Sequence, residues 1–166
     1  GSDAILVSAA IQAVSEGDFS SSNNATKLDF MTGASEAATT KMSLSSGGNL
    51  TITSTDAGGS EGPILDLYRN SASPADGDDT GRIEFRNRND NSQDFVAATI
   101  STWSDDVSDG TEDASMGLYT MMNGTLRRQI WVDSTSHIIN ASNQDVNFID
   151  ESVGNANMLF VDSGNN

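Results

Sequence analysis

The sequence predicts an all-β chain of antiparallel strands and hairpins in tandem repeats, and three observations predict it. Apolar and polar residues alternate in short runs along the chain. Ser, Thr, Asn, Asp and Gly, which favour turns and loops, supply about half of all positions. Helix signals are weak: Ala4–Val14 and Ala34–Ala38 have tolerable composition, yet neither carries a start-and-stop pair of caps. The first of these is β-branched at Ile5, Val7, Ile11 and Val14, so it is expected as a strand.

The next strands follow from period two. Leu28 and Phe30 alternate with Lys27, Asp29 and Met31; Met42 and Leu44 with Lys41, Ser43 and Ser45; Leu50 and Ile52 with Asn49, Thr51 and Thr53. Ile83 and Phe85, then Ile130 and Val132, do the same further on. Each run is short and ends in Gly, Ser, Asn or Asp, the signature of half-buried strands joined by turns. Ser45-Ser46-Gly47-Gly48-Asn49 reads as a hairpin loop, because glycine supplies the positive φ that such loops need.

Composition bounds the rest. Leu, Ile, Val and Phe make up about a fifth of the 166 residues, and the formal net charge is -16. Such a chain either stays disordered or completes its core with other subunits, and sustained alternation argues for the second. The charge repels nucleic acid and anionic membranes, so neither is an expected partner. No apolar run approaches a membrane span, and without cysteine there is no disulfide framework or thiolate metal site. Gly1-Ser2 reads as a cloning scar.

Self-comparison suggests an internal repeat. Leu6–Ile11 is similar to Phe95–Ile100 at an offset of 89, and Leu28–Thr32 to Met116–Thr120 at 88. Met42–Ser46 matches Ile130–Ser134 at the same offset, which puts Leu50 on Ile138. The expected organisation is a partial β-repeat at 3–52, a connector at 53–62, a complete β-repeat at 63–141 opening with Ile64-Leu65-Asp66-Leu67, and the start of a third at 142–166 that stops inside a hairpin.

Three segments carry a resemblance: Ile64–Phe85, Asp109-Gly110-Thr111-Glu112-Asp113 and Asn157-Met158-Leu159-Phe160-Val161-Asp162. They resemble the tail-fibre proteins of tailed phages, particularly marine-type ones. That resemblance implies an extracellular, virion-borne homotrimeric shaft or knob, with β-sandwich or β-prism layers along a fibre axis, reaching towards a glycan or protein receptor on a host surface. Family members often end in a self-cleaving intramolecular chaperone, and nothing here matches that domain.

Candidate chemistry is sparse, and no catalytic, cofactor or metal residue is assigned. His137 is the single histidine, placed at a turn opposite Asn49. No Gly-x-Ser-x-Gly elbow or phosphate-binding glycine loop occurs. Asp76-Gly77-Asp78-Asp79-Thr80-Gly81 begins like a calcium loop, but its twelfth position is Asn87 rather than a bidentate Glu. It and the acidic run Asp105–Asp109 are expected as solvated loops. Asn24, Asn49, Asn123 and Asn140 open glycosylation sequons at a frequency that composition alone supplies. Trp103, Tyr119 and Trp131 are the informative residues. Strand alternation turns Trp131 away from Ile130 and Val132, and Tyr119 away from Met116 and Leu118. Aromatics on a second face mean a sugar platform, a partner subunit or a further packed layer, and a partner or layer is the expectation. The predicted function is a structural and adhesive, non-enzymatic fibre segment. A glycan-degrading tailspike segment and a bacterial surface adhesin or filament subunit are the alternatives.

Overall fold

A computed structural model describes residues 6–59 and 61–145. The described residues contain nine strands and no helix. The chain divides into two compact units, Gly1–Asp66 and Leu67–Asn166. The first holds β1 (Ala9–Ser15), β2 (Thr26–Thr32), β3 (Thr39–Leu44) and β4 (Leu50–Ile52) in one antiparallel sheet in chain order. The second holds β5 (Asp78–Arg88), β6 (Asp94–Asp106), β7 (Asp113–Met122), β8 (Thr125–Val132) and β9 (His137–Ile139), again a meander. Every alternating run noted above lies in a strand.

Because side chains alternate across a strand, directly paired residues share a face. In the first sheet Ile11, Phe30, Met42 and Ile52 pair in one unbroken cross-strand row. In the second, Ile83, Ile100, Leu118, Ile130 and Ile139 form a row across all five strands. Among the described residues each unit is a single layer; Leu67 lies beside Ile83 and Ile100 at one end of the second row, and no strand or helix covers either face. Among the described residues no apolar side chain is buried, and the buried polar ones are Asp29, Thr99, Ser101 and Ser115. Ile11 at 70% and Ile139 at 62% exposure lie at the extremes of the two rows.

The two sheets share a register. Ile11 faces Phe30 as Ile100 faces Leu118, positions 89 and 88 further on. Phe30 faces Met42 as Leu118 faces Ile130, and each strand bulges at the next residue, between Phe30 and Met31 and between Leu118 and Tyr119. The last strand departs from the expected offset. Leu50 faces Leu44, but the partner of Val132 is His137 rather than Ile138. The physical reason is a shorter loop. Ser45 N–H bonds the Asn49 carbonyl at 3.0 Å with Gly48 at φ 80°, whereas Asp133 N–H bonds the Ser136 carbonyl at 3.0 Å, one residue sooner. His137 therefore opens a strand instead of sitting in a turn.

Two further expectations need correction or fall outside view. Ile64–Leu67 opens no strand; none occurs among the described residues from 53 to 77, and Ile64, Leu65 and Leu67 are exposed. Adjacent Ile64 and Leu65 break the alternation that a half-buried strand needs. This segment is nonetheless anchored beyond Asp66: Arg69 Nη1 donates to the Asp79 carbonyl at 2.8 Å and pairs with Asp78 at 3.3 Å. Most of the third repeat expected at 142–166, with the Asn157–Asp162 motif, lies outside the described residues.

Asn123 at φ 47° and Gly124 at φ 75° form the two-residue turn between β7 and β8. Both angles belong to a type I′ hairpin. Gly124→Ala is expected to lower stability by about 1 kcal/mol, because alanine resists positive φ. Gly62→Ala, which meets nothing within 4 Å, should be near neutral. Urea unfolding midpoints of the two variants check this.

Candidate functional site

The face of the second sheet opposite its apolar row is polar and aromatic. Three rows cross it. Thr99 pairs with Tyr119 and Tyr119 with Arg128; Ser101 pairs with Gly117 and Gly117 with Trp131; Trp103 pairs with Ser115. Gly117 thus lies among three large rings, and the Tyr119 ring fills the space that its missing side chain leaves. A Cβ built there would meet Tyr119 Cε2 at 2.6 Å. The Trp103 and Trp131 centroids are 5.3 Å apart with planes tilted by 47°, and Trp103 and Tyr119 are 6.2 Å apart at 56°. Both geometries lie in the favourable range for tilted aromatic pairs. The Arg128 guanidinium carbon stands 4.1 Å from the Trp131 centroid, a cation–π contact.

Polar groups hold this cluster in place. Trp131 Nε1 donates to Asp133 Oδ2 at 2.6 Å. Asp133 Oδ1 accepts from Thr135 N–H at 2.7 Å and Ser136 N–H at 2.6 Å. The backbone and hydroxyl of Thr135, then the Trp131 indole, hold the Asp133 carboxyl well below the usual carboxylate range. Ser115 Oγ donates to Asp105 Oδ1 at 2.8 Å, and the buried Ser101 hydroxyl reaches Thr99 Oγ1 at 3.4 Å. Between Arg82, Ser101, Trp103, Tyr119 and Leu126 runs a shallow groove of about 180 Å³. The three rings remain half-buried rather than enclosed.

The corresponding face of the first sheet has different chemistry on the same backbone register. Its central row is Gln12, Asp29, Ser43 and Thr51. Asp29 takes the place that Gly117 has in the second sheet; it accepts from Ser43 Oγ at 2.7 Å and pairs with Lys27 at 3.0 Å. The Ser43 hydroxyl and then Lys27 keep its carboxyl below the ordinary value. Val14, Met31 and Ser43 occupy the positions matching Trp103, Tyr119 and Trp131.

The remaining sequence candidates disperse. Asp76 Oδ1 accepts the Val107 N–H at 3.0 Å, and Asp78 accepts the Ala75 N–H at 3.0 Å. Asp78 and Asn87 both belong to β5, so the calcium-like run is largely a strand rather than a solvated loop. Asp105 and Asp106 likewise end β6. Asp106 accepts the Ser108 N–H at 2.7 Å, which lowers its carboxyl pKa. Among the described residues no three of His, Cys, Asp and Glu converge on a metal-sized site. His137 is exposed at the start of β9. Gly117 and Arg128 are the members of the aromatic face that the sequence reading missed. Comparison with protein-family models, with curated proteins and with solved structures gives no match.

Gly117→Ala is expected to displace the Tyr119 ring and cost about 1–3 kcal/mol, the usual range for overpacking; loss of near-ultraviolet circular dichroism reports it. The Asp133 carboxyl has a lowered pKa when folded, so its contribution is present above the ordinary value of about 4 and lost as pH falls through the lowered one. The difference in urea midpoint between wild type and Asp133→Ala should hold constant from neutral pH to about 4 and shrink only below.

Proposed function

We propose that this chain is a structural and adhesive segment of a homotrimeric fibre of the phage tail-fibre type, acting outside the cell on the virion and without enzymatic activity. The observation that carries the reading is the uncovered apolar row on each sheet. Ordering the backbone costs about 1–2 kcal/mol per residue. Burying one Ile or Leu side chain recovers about 1.5–3 kcal/mol, and only when something covers it. With no buried apolar side chain among the described residues, the missing layer has to come from elsewhere.

Two further copies of the chain supply it. Three sheets with their rows turned to a common axis make a closed β-prism, in which each copy covers the apolar faces of the other two. The need for cover rests on the rows, and the number three on the sequence resemblance. The shared register, including the matching bulges, supports two copies of one repeat unit in tandem. Such a shaft spaces a tip from its base and presents each outer face three times, so weak contacts add as avidity.

Five carboxyls of the described residues are poorly suited to act as a general acid. Glu16, Asp29, Glu36, Asp106 and Asp133 have pKa values lowered by hydrogen bonds from neighbouring hydroxyl, backbone or lysine groups. A glycosidase acid needs a carboxyl shifted the other way.

Light scattering across a dilution series tests the assembly. The expected mass is three times the 17.4 kDa chain, and Leu118→Asp should abolish it together with cooperative unfolding. A compact, cooperatively unfolding monomer overturns the reading, since it would mean that the chain covers its own rows as an intramolecular sandwich. A dimer overturns the three-fold arrangement.

A further inference from the structure

We propose that the aromatic face of the second sheet is a binding site for a neutral saccharide, with a sugar ring seated on Trp103 and Tyr119, the rings that line the groove, and its hydroxyls bonded by Arg82 and by Arg128, which Trp131 holds in place. This deepens the fibre reading by naming a ligand class, and it rests on that reading only for the direction the face points. With the apolar rows turned inward, the opposite face is outward.

The shared register of the two sheets carries the argument. If the aromatic cluster were needed to build a sheet of this kind, the first sheet would need it too. That sheet pairs the same strands, with the same bulge, around Val14, Met31, Ser43 and Asp29 in place of Trp103, Tyr119, Trp131 and Gly117. The rings are therefore an addition to the backbone scheme rather than a condition of it. They are also only half-buried, on the face opposite the apolar row.

The chemistry around the rings suits hydroxyls. A pyranose offers an apolar C–H face, which packs on an aromatic ring, and a rim of hydroxyls that both donate and accept. Arg128 lies over Trp131 and makes no ion pair among the described residues, so its N–H groups remain as donors beside the ring. Arg82 borders the groove beside Trp103 and Tyr119. Glu84, which faces Thr99 in the adjoining row and pairs with Arg82 at 3.2 Å and Arg86 at 3.3 Å, and Asp105, which holds Ser115, place carboxylates on the same face. The chain's net charge of -16 disfavours an anionic glycan at long range.

The test applies the full chain, fluorescently labelled, to an array of neutral and acidic oligosaccharides, followed by tryptophan-fluorescence titration with the strongest soluble hit. Hits are expected among neutral glycans, with saturable change in tryptophan emission. Trp131→Ala and Arg128→Ala should each weaken binding about tenfold, the equivalent of 1.4 kcal/mol, at unchanged mass and far-ultraviolet circular dichroism. Arg128→Ala removes the arginine side chain beyond Cβ and leaves all three rings, so it serves where Trp131→Ala misfolds. An array without neutral hits, a preference for acidic glycans, or binding unchanged by Arg128→Ala overturns the proposal. Light scattering on the same samples separates the two readings. A monomer that binds overturns the fibre alone, and a trimer that binds no glycan overturns the saccharide site alone.

Discussion

A single antiparallel sheet has two faces, and the pleat sends alternate side chains to each. In both units of this chain one face receives the aliphatic row: Ile11, Phe30, Met42 and Ile52 in the first, and Ile83, Ile100, Leu118, Ile130 and Ile139 in the second. Among the described residues no helix or second sheet within the unit lies over that row. This one-sided distribution explains why the chain is so poor in large apolar residues and yet keeps strict alternation. A lone layer needs apolar residues at every second strand position and nowhere else. The same distribution makes hydrophobic cover, rather than hydrogen bonding, the term that decides whether the fold stands alone.

The opposite face is where the two sheets part company. Across the three strands that carry the rings, the pairing and the bulge agree, so the difference there lies in side chains. At one central position Asp29 fills its space with a carboxylate tied to Ser43 and Lys27. At the matching position Gly117 has no side chain, and the Tyr119 ring lies over it, with Trp103 and Trp131 packed alongside. One missing side chain thus converts a polar, self-satisfied surface into an aromatic one. Arg128 and Asp133 fix Trp131 from two sides, through its ring face and its N–H.

Much of this was legible in the sequence, and the exceptions have physical causes. The faces of Trp131 and Tyr119 followed from alternation against Ile130, Val132, Met116 and Leu118, because alternation is a local property of extended backbone. The Ser45–Asn49 hairpin followed from its glycines, and Gly48 does adopt positive φ. Asn123-Gly124 carried an equally strong hairpin signal, which its match to a glycosylation sequon obscured. The calcium-like run failed because ligand spacing in a sequence presumes a curled loop, and Asp78 to Asn87 is extended strand. His137 was misplaced by one residue because the side chain of Asp133, bonded to Thr135 and Ser136, closes its turn sooner than Ser45 does.

The sequence by itself determined the all-β fold class, the position of most strands and the faces on which Tyr119 and Trp131 lie, since all three depend on neighbours one or two residues away. Only the tertiary structure decided which residues meet across strands. Cross-strand register depends on loop length and on bulges such as those after Phe30 and Leu118, and a change of one residue in either shifts every partner. Hence the convergence of three rings over Gly117, drawn from three strands, was beyond the reach of periodicity: alternation says which way a side chain points, and register says what it finds there.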